Sequence, residues 1–278
     1  MTALKFLAIW SALLIGQVIG GGIAQLVLAA PPVTIPHDGP FDLAAALGIV
    51  TLADALVLSL LAARLRAGFV ARTAVLFTLF YGIGSGLPVV EAVYFNDYIK
   101  MPIALLLQTT LASAIQAGLA APVAAALWTN DPNDRLADEH VAGLWWRIAL
   151  IALIYVVFYF GAGALIAWQD AALRAYYEQN AHIDRAQVAL LQVGRGLIWA
   201  ALALIGVRRL TGSPWFRAVM IGLAFSVLMA ISLLIPNPFM PWEVREYHLA
   251  EVSSSNLLFG IAAAWILLAG IKSRAPNS

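Results

Sequence analysis

Eight runs of about 20 predominantly apolar residues recur along the chain, near 5–29, 43–65, 70–93, 101–127, 145–168, 187–207, 215–236 and 249–271. A helix advances about 1.5 Å per residue, so a run of this length matches the roughly 30 Å hydrocarbon core of a bilayer. Inside that core there is no water to hydrogen-bond the backbone, and a helix is the element that satisfies every peptide group within its own segment. Composition leaves no competing solution. The chain is 62% hydrophobic and 11% charged, with a mean hydropathy of +0.87, whereas soluble domains carry about 25% charged residues. The predicted fold class is an all-α integral membrane protein of eight transmembrane helices, one domain covering 1–278.

The first run could be confused with a cleaved signal sequence, because one lysine precedes it and small residues follow. A signal core occupies about 7–15 residues, whereas this run continues from Phe6 to Ala30, so it is read as the first spanning helix. The connections, among them "PPVTIPHDGPFD", "TNDPNDRLADEH" and "IPNPFMPWE", hold the proline, glycine and asparagine that interrupt helices. Pro88 and Pro102 are expected to kink or bound theirs. With no cysteine, disulfides and thiolate chemistry are excluded.

Basic residues collect on the cytoplasmic side of membrane proteins. Placing both termini inside puts eleven of the sixteen there: Lys5, Arg64, Arg66, Arg72, Arg135, Arg147, Arg208, Arg209, Arg217, Lys272 and Arg274. The expectation is an N-in, C-in protein of a bacterial cytoplasmic (inner) membrane. The outer side then carries ten acidic residues against four basic ones, a field that favours cations approaching from outside. Asp131, Asp134, Asp138 and Glu139 are the inner acids.

The halves of the chain resemble each other. "LADALVLSLLAARLRAGFVARTAVLF" overlays "VGRGLIWAALALIGVRRLTGSPWFRAVMI" with a short insertion, and "QTTLASAIQAG" parallels "EVSSSNLLFG". Two four-helix repeats, about 1–130 and 140–278, would share one orientation and be related by an axis along the membrane normal. The overlay sets Asp54 and Arg195 at similar depth, where ionisable groups need a partner or a wet cavity. A structural ion pair between them is therefore expected. Glycine clusters, including Gly16 and Gly20 in the first run and Gly161 and Gly163 in the fifth, predict close helix contacts.

The polar residues that remain gather in "EVREYHLAEVSSSNLLFG", residues 243–260. On a helix Arg245, His248, Glu251 and Ser255 share a face, with Asn256 at its margin. Glu91, Gln108 and Arg195 lie at comparable depth in other runs, while the inner halves are almost wholly apolar. That asymmetry disfavours a channel across the whole membrane, which would need polar groups at every level. It favours a site opening to the outer face between the two halves.

In such a site His248, Glu251 and Glu91 are the candidate catalytic or proton-handling groups. Arg195, Arg245, Gln108, Asn256 and Ser255 are the candidate substrate-binding residues, with Ser255 also the natural nucleophile. His248 and Glu251 could furnish two metal ligands and Glu91 a third, but no metal is assigned. Haem is disfavoured because His37, His140 and His182 all lie in loops, and the cofactor is left unknown. The leading expectation is a protein that binds or transports a small or lipid-derived polar substrate. The alternatives are an intramembrane enzyme with His248 and Glu251 as its acid-base pair, and a non-catalytic subunit or assembly factor. The last would dock a protein partner at the outer face through Phe239, Met240 and Trp242. No nucleic-acid partner is expected.

Overall fold

The computed structural model describes residues 2–128, 140–178 and 184–272. Arg135, His182, Arg274 and the acids of 131–139 lie outside them. Eight helices are long and apolar enough to cross a membrane: α1 (Ala3–Leu28), α2 (Leu43–Arg64), α3 (Phe69–Tyr94), α4 (Ile103–Leu127), α5 (Leu144–Gln169), α6 (Arg185–Arg209), α7 (Pro214–Leu234) and α8 (Trp242–Leu268). The chain has the architecture of a polytopic membrane protein. Helix α8 begins at Trp242 rather than near 249, so Arg245 and His248 belong to its first turns. Pro241 fixes that start as the N-cap, a place where its missing N–H costs nothing.

Helix α3 is not uniform. Gly82–Gly86 forms a π-turn in which the Leu87 N–H donates to the Gly82 carbonyl, five residues back. Pro88 has no N–H to continue the ordinary ladder, and the glycine-rich sequence tolerates the wider turn. The result is a change of helical phase just before Glu91.

Packing follows the small residues. α1 lies on α4, α5 on α6, and α7 on α8, with α2 on α1 and α3 on α4. A Cβ on Gly16 would stand 3.0 Å from Gln116 Cα, and one on Gly20 would stand 2.5 Å from the Ala112 carbonyl oxygen. Gly196 meets the Ala152 backbone at 2.7 Å, and Gly222 and Gly260 abut each other. Gly21, Gly22 and Gly161 touch nothing within 4 Å. The expected glycine contacts therefore hold for Gly16 and Gly20 but not for Gly161, and those of α6 to α8 were not anticipated.

At the end of the bundle carrying the termini, the turns after α2 and α6 pair with one another. The Arg66 N–H donates to the Arg209 carbonyl and the Thr211 N–H to the Arg64 carbonyl, both at 2.9 Å. Beside them Arg72 and Arg217 are buried. Arg72 donates to the Ala125 and Ala67 carbonyls and Arg217 to that of Val207. A two-residue antiparallel pairing of His140–Val141 with Ile271–Lys272 closes the same face. Trp145, Trp146 and Trp215 are exposed near that end, where indoles suit a membrane interface.

Gly196→Ala forces a methyl into the Ala152 backbone and should cost about 1–3 kcal/mol, read as a lower melting temperature in detergent. Gly21→Ala, with open space around it, should be neutral or slightly stabilising through its better helix propensity.

Candidate functional site

Arg195, on α6, is 1% exposed, and its Nη2 lies 2.9 Å from Oε2 of Glu91 on α3. Its Nη1 donates to Gln192 Oε1 at 2.8 Å, and its guanidinium stands 5.6 Å from the Tyr155 ring centroid. A charge so deep in a low-dielectric bundle is tolerated only with a partner of this kind. The expected bridge to Asp54 is not formed. α6 packs mainly on α5, α8, α7 and α3, whereas α2 packs on α1, α7, α3 and α4. The two helices are not close neighbours, and Glu91 takes the guanidinium. Asp54 is buried, and its Oδ1 has no hydrogen-bond partner among the described residues.

The second cluster is built on α8. His248 Nδ1 lies 2.8 Å from Glu251 Oε2 and its Nε2 lies 3.0 Å from the Tyr177 hydroxyl. An ionised carboxylate only accepts, so with neutral imidazole Nδ1 carries the proton and Nε2 receives the Tyr177 O–H. Tyr177 comes from the short helix Ala171–Glu178, capped by Asp170, whose carboxylate accepts from the Leu173 N–H at 2.9 Å. That bond, ahead of a weaker one from Tyr247, holds the Asp170 carboxyl below its usual range. Burial pushes the Tyr177 phenol well above its usual range, and the negative charges of Glu91 and Glu251 push it the same way. Tyr177 is thus a hydroxyl donor at any physiological pH, and it lies in the field of both glutamates. The two clusters form one polar neighbourhood.

Below it the bundle is sealed by aromatic rings. Trp199, one turn along α6 from Arg195, sits 4.2 Å from Phe225 of α7 and 6.1 Å from Phe259 of α8, and Tyr155 lies 5.0 Å from Phe259. Trp199, Phe225 and Phe259 are wholly buried. The polar groups thus lie toward the end opposite the termini, with packed rings on their other side.

Four expected members of the site stand apart from the two clusters. Arg245 is fully buried and points away from His248. Its Nη2 pairs with Asp38 Oδ1 at 2.6 Å, and its Nε and Nη1 donate to the carbonyls of Met240, Leu233 and Ile235. Asp38 Oδ2 also accepts from the Trp242 N–H. Gly39, at φ 85, lets the strap between α1 and α2 turn directly under the Trp242 ring, 3.0 Å from where a Cβ would sit. Arg245 is therefore a latch between that strap and α8. Ser255 donates weakly to the Val252 carbonyl of its own helix, so it is not activated by His248 or Glu251. Gln108 and Asn256 make no hydrogen bond to the cluster among the described residues, and the Gln108 Oε1 is buried without a partner.

Phe239, Met240 and Trp242, expected as an exposed docking loop, are half-buried. Met240, like Tyr176 and Tyr177, packs against the small core of Ala167, Leu173 and Val244, and the Phe239 carbonyl accepts from the Tyr176 hydroxyl. Among the described residues no group of three potential ligands is placed to hold a metal. Glu91, the third ligand weighed from the sequence, is engaged by Arg195.

Tyr155, Tyr159 and Tyr177 were not anticipated. Tyr159 lies within electrostatic reach of Glu91 and Arg195. The available signal was "ALRAYYE", an amphipathic segment with two adjacent tyrosines inside a presumed loop.

Compared with protein-family models, curated proteins and solved structures, the chain matches none.

Asp38→Asn removes the counter-charge of a wholly buried guanidinium. It should destabilise the protein by about 3 kcal/mol, measured by thermal unfolding in detergent. Ser255→Ala should leave stability and any ligand response unchanged.

Proposed function

We propose that this protein binds or transports a small or lipid-derived polar molecule, taken up from the face opposite the termini into a site between the halves of the bundle. One observation carries the reading: Glu91, Gln192, Arg195, Tyr177, His248 and Glu251, drawn from three spanning helices and a short surface helix, share one neighbourhood over a closed aromatic floor. Within it, among the described residues, Gln192 Nε2 and Arg195 Nε are buried without hydrogen-bond partners, and the Glu91 side chain is 27% exposed.

The same reading takes the bundle as two four-helix repeats sharing one orientation. In its support, Leu65 pairs with Leu210, and Arg64, Arg66 and Arg72 recur at one interval as Arg209, Thr211 and Arg217. The two backbone bonds at this corner are reciprocal under that interval. The arginine-rich corners favour assigning the termini to the cytoplasm of a bacterial cell, an orientation in which the site would face outward. No cysteine occurs in the sequence, so single-cysteine labelling tests the orientation without background. Gly68→Cys should react only after the membrane is opened, and Glu243→Cys in intact cells. The reverse pattern would invert the protein.

A second reading, an enzyme acting at the outer leaflet, is favoured by His248. Its Nδ1 is oriented by a carboxylate and its Nε2 is presented to a hydroxyl, an arrangement suited to proton transfer. The two readings separate in reconstituted protein offered a panel of polar solutes and lipid headgroups. Binding reads out as a melting temperature raised by several degrees at saturation, unchanged solute, and loss of the shift in His248→Ala. Catalysis reads out as product formation that His248→Ala abolishes. A panel that produces neither would sink both.

A further inference from the structure

Hydrogen-bond capacity in the site is spent unevenly, and the remainder describes the ligand. Glu91 uses Oε2 on Arg195, and Glu251 uses Oε2 on His248. Among the described residues, Oε1 of each carboxylate has no hydrogen-bond partner. Both are acceptors only. The guanidinium of Arg195 is matched by the charge of Glu91, whereas Glu251 meets only the His248 ring. Its Oε1 leaves acceptor capacity unused in a side chain only 12% exposed.

The space beside that carboxylate is bordered by aromatic rings. The point where a Cβ on Gly163 would stand is 3.6 Å from Glu251 Oε1, 3.6 Å from Trp168 Nε1 and 3.4 Å from Trp168 Cδ1. Trp168 in turn lies 5.9 Å from the Tyr177 ring, and Tyr177 lies 5.9 Å from the His248 ring. A carboxylate oxygen with unused acceptor capacity, near indole and phenol rings, combines negative charge with aromatic surroundings, the two features that attract an organic cation. A phosphate or carboxylate would meet Glu251 and the unused Glu91 oxygen instead, at a repulsive cost. The acid-rich face around the opening adds a field of the same sign.

We propose that the site takes an ammonium group, held between Glu251 Oε1 and the rings of Trp168 and Tyr177 beside Gly163. This rests on the binding-site reading above and names its substrate class. The chemistry is common to a free amine and to the amine headgroup of a lipid.

The test is a titration of intrinsic tryptophan fluorescence in full-length protein in phosphatidylglycerol nanodiscs. Ethanolamine and tetramethylammonium are the probes, and glycerol and tert-butanol their uncharged counterparts. The expected result is a saturable change with the two ammonium compounds alone. It should weaken at least tenfold in Glu251→Gln and in Gly163→Val, whose side chain crowds Trp168 and Glu251 Oε1 while every charge stays in place. Gly163→Val carries the test if Glu251→Gln does not fold. Repeating the titration with phosphatidylethanolamine in the disc separates the sources. A raised apparent Kd for free ethanolamine identifies the lipid headgroup as a competitor, and an unchanged one identifies the free amine. The proposal is overturned if no ammonium probe gives a saturable change, or if both variants respond like the wild-type protein. Should phosphate or glycerol bind instead and lose affinity in His248→Ala, the ammonium proposal fails while the binding site stands.

Discussion

A guanidinium that is 1% exposed in a bundle of apolar helices has to be answered, and the Arg195–Glu91 bridge is the answer around which the opposite end of the molecule is arranged. Breaking one side of such a pair costs about 3–5 kcal/mol because the other charge stays buried. The bridge therefore fixes α3 against α6, holds Glu91 in the field of Tyr177, and keeps Gln192 turned toward the guanidinium. The π-turn at Gly82–Gly86 belongs to the same arrangement, since it resets the phase of α3 one turn before Glu91 and so helps determine which face the carboxylate occupies. His248, Glu251 and Tyr177 then add a second hydrogen-bonded chain to a neighbourhood whose charge is already set.

Much of the fold was legible because hydrophobic length is a local property. Each run of apolar residues declares its own helix, and Pro102, the N-cap of α4, needed no tertiary information to be read as a boundary. The glycine contacts were half legible. Spacing identifies a small face, but only the packed partner tells Gly20, against Ala112, from Gly161, which faces open space.

The site was legible in its ingredients and not in its pairings. His248 and Glu251 are three residues apart on one helix, so their contact follows from helical geometry alone. Arg195 had three acidic groups at compatible depth, and choosing Glu91 over Asp54 required knowing that α6 packs on α3 and not on α2. Arg245 shared a helical face with His248, yet its first-turn position brought it to Asp38 in a strap more than two hundred residues away in sequence. Tyr177 was invisible for a different reason: the short helix Ala171–Glu178 has no apolar run long enough to announce itself.

The paired corners at 64–66 and 209–211 have a mechanical consequence. Two reciprocal backbone bonds, with Arg72 and Arg217 bound to carbonyls beside them, make the terminal end the stiff side of the bundle. Helices joined there behave as levers with a shared fulcrum. Over a membrane thickness of roughly 30 Å, a tilt of about 5° at that point moves the far ends by about 2.5 Å. The Arg195–Glu91 bridge lies at that far pole, where it opposes the displacement such a rotation would produce.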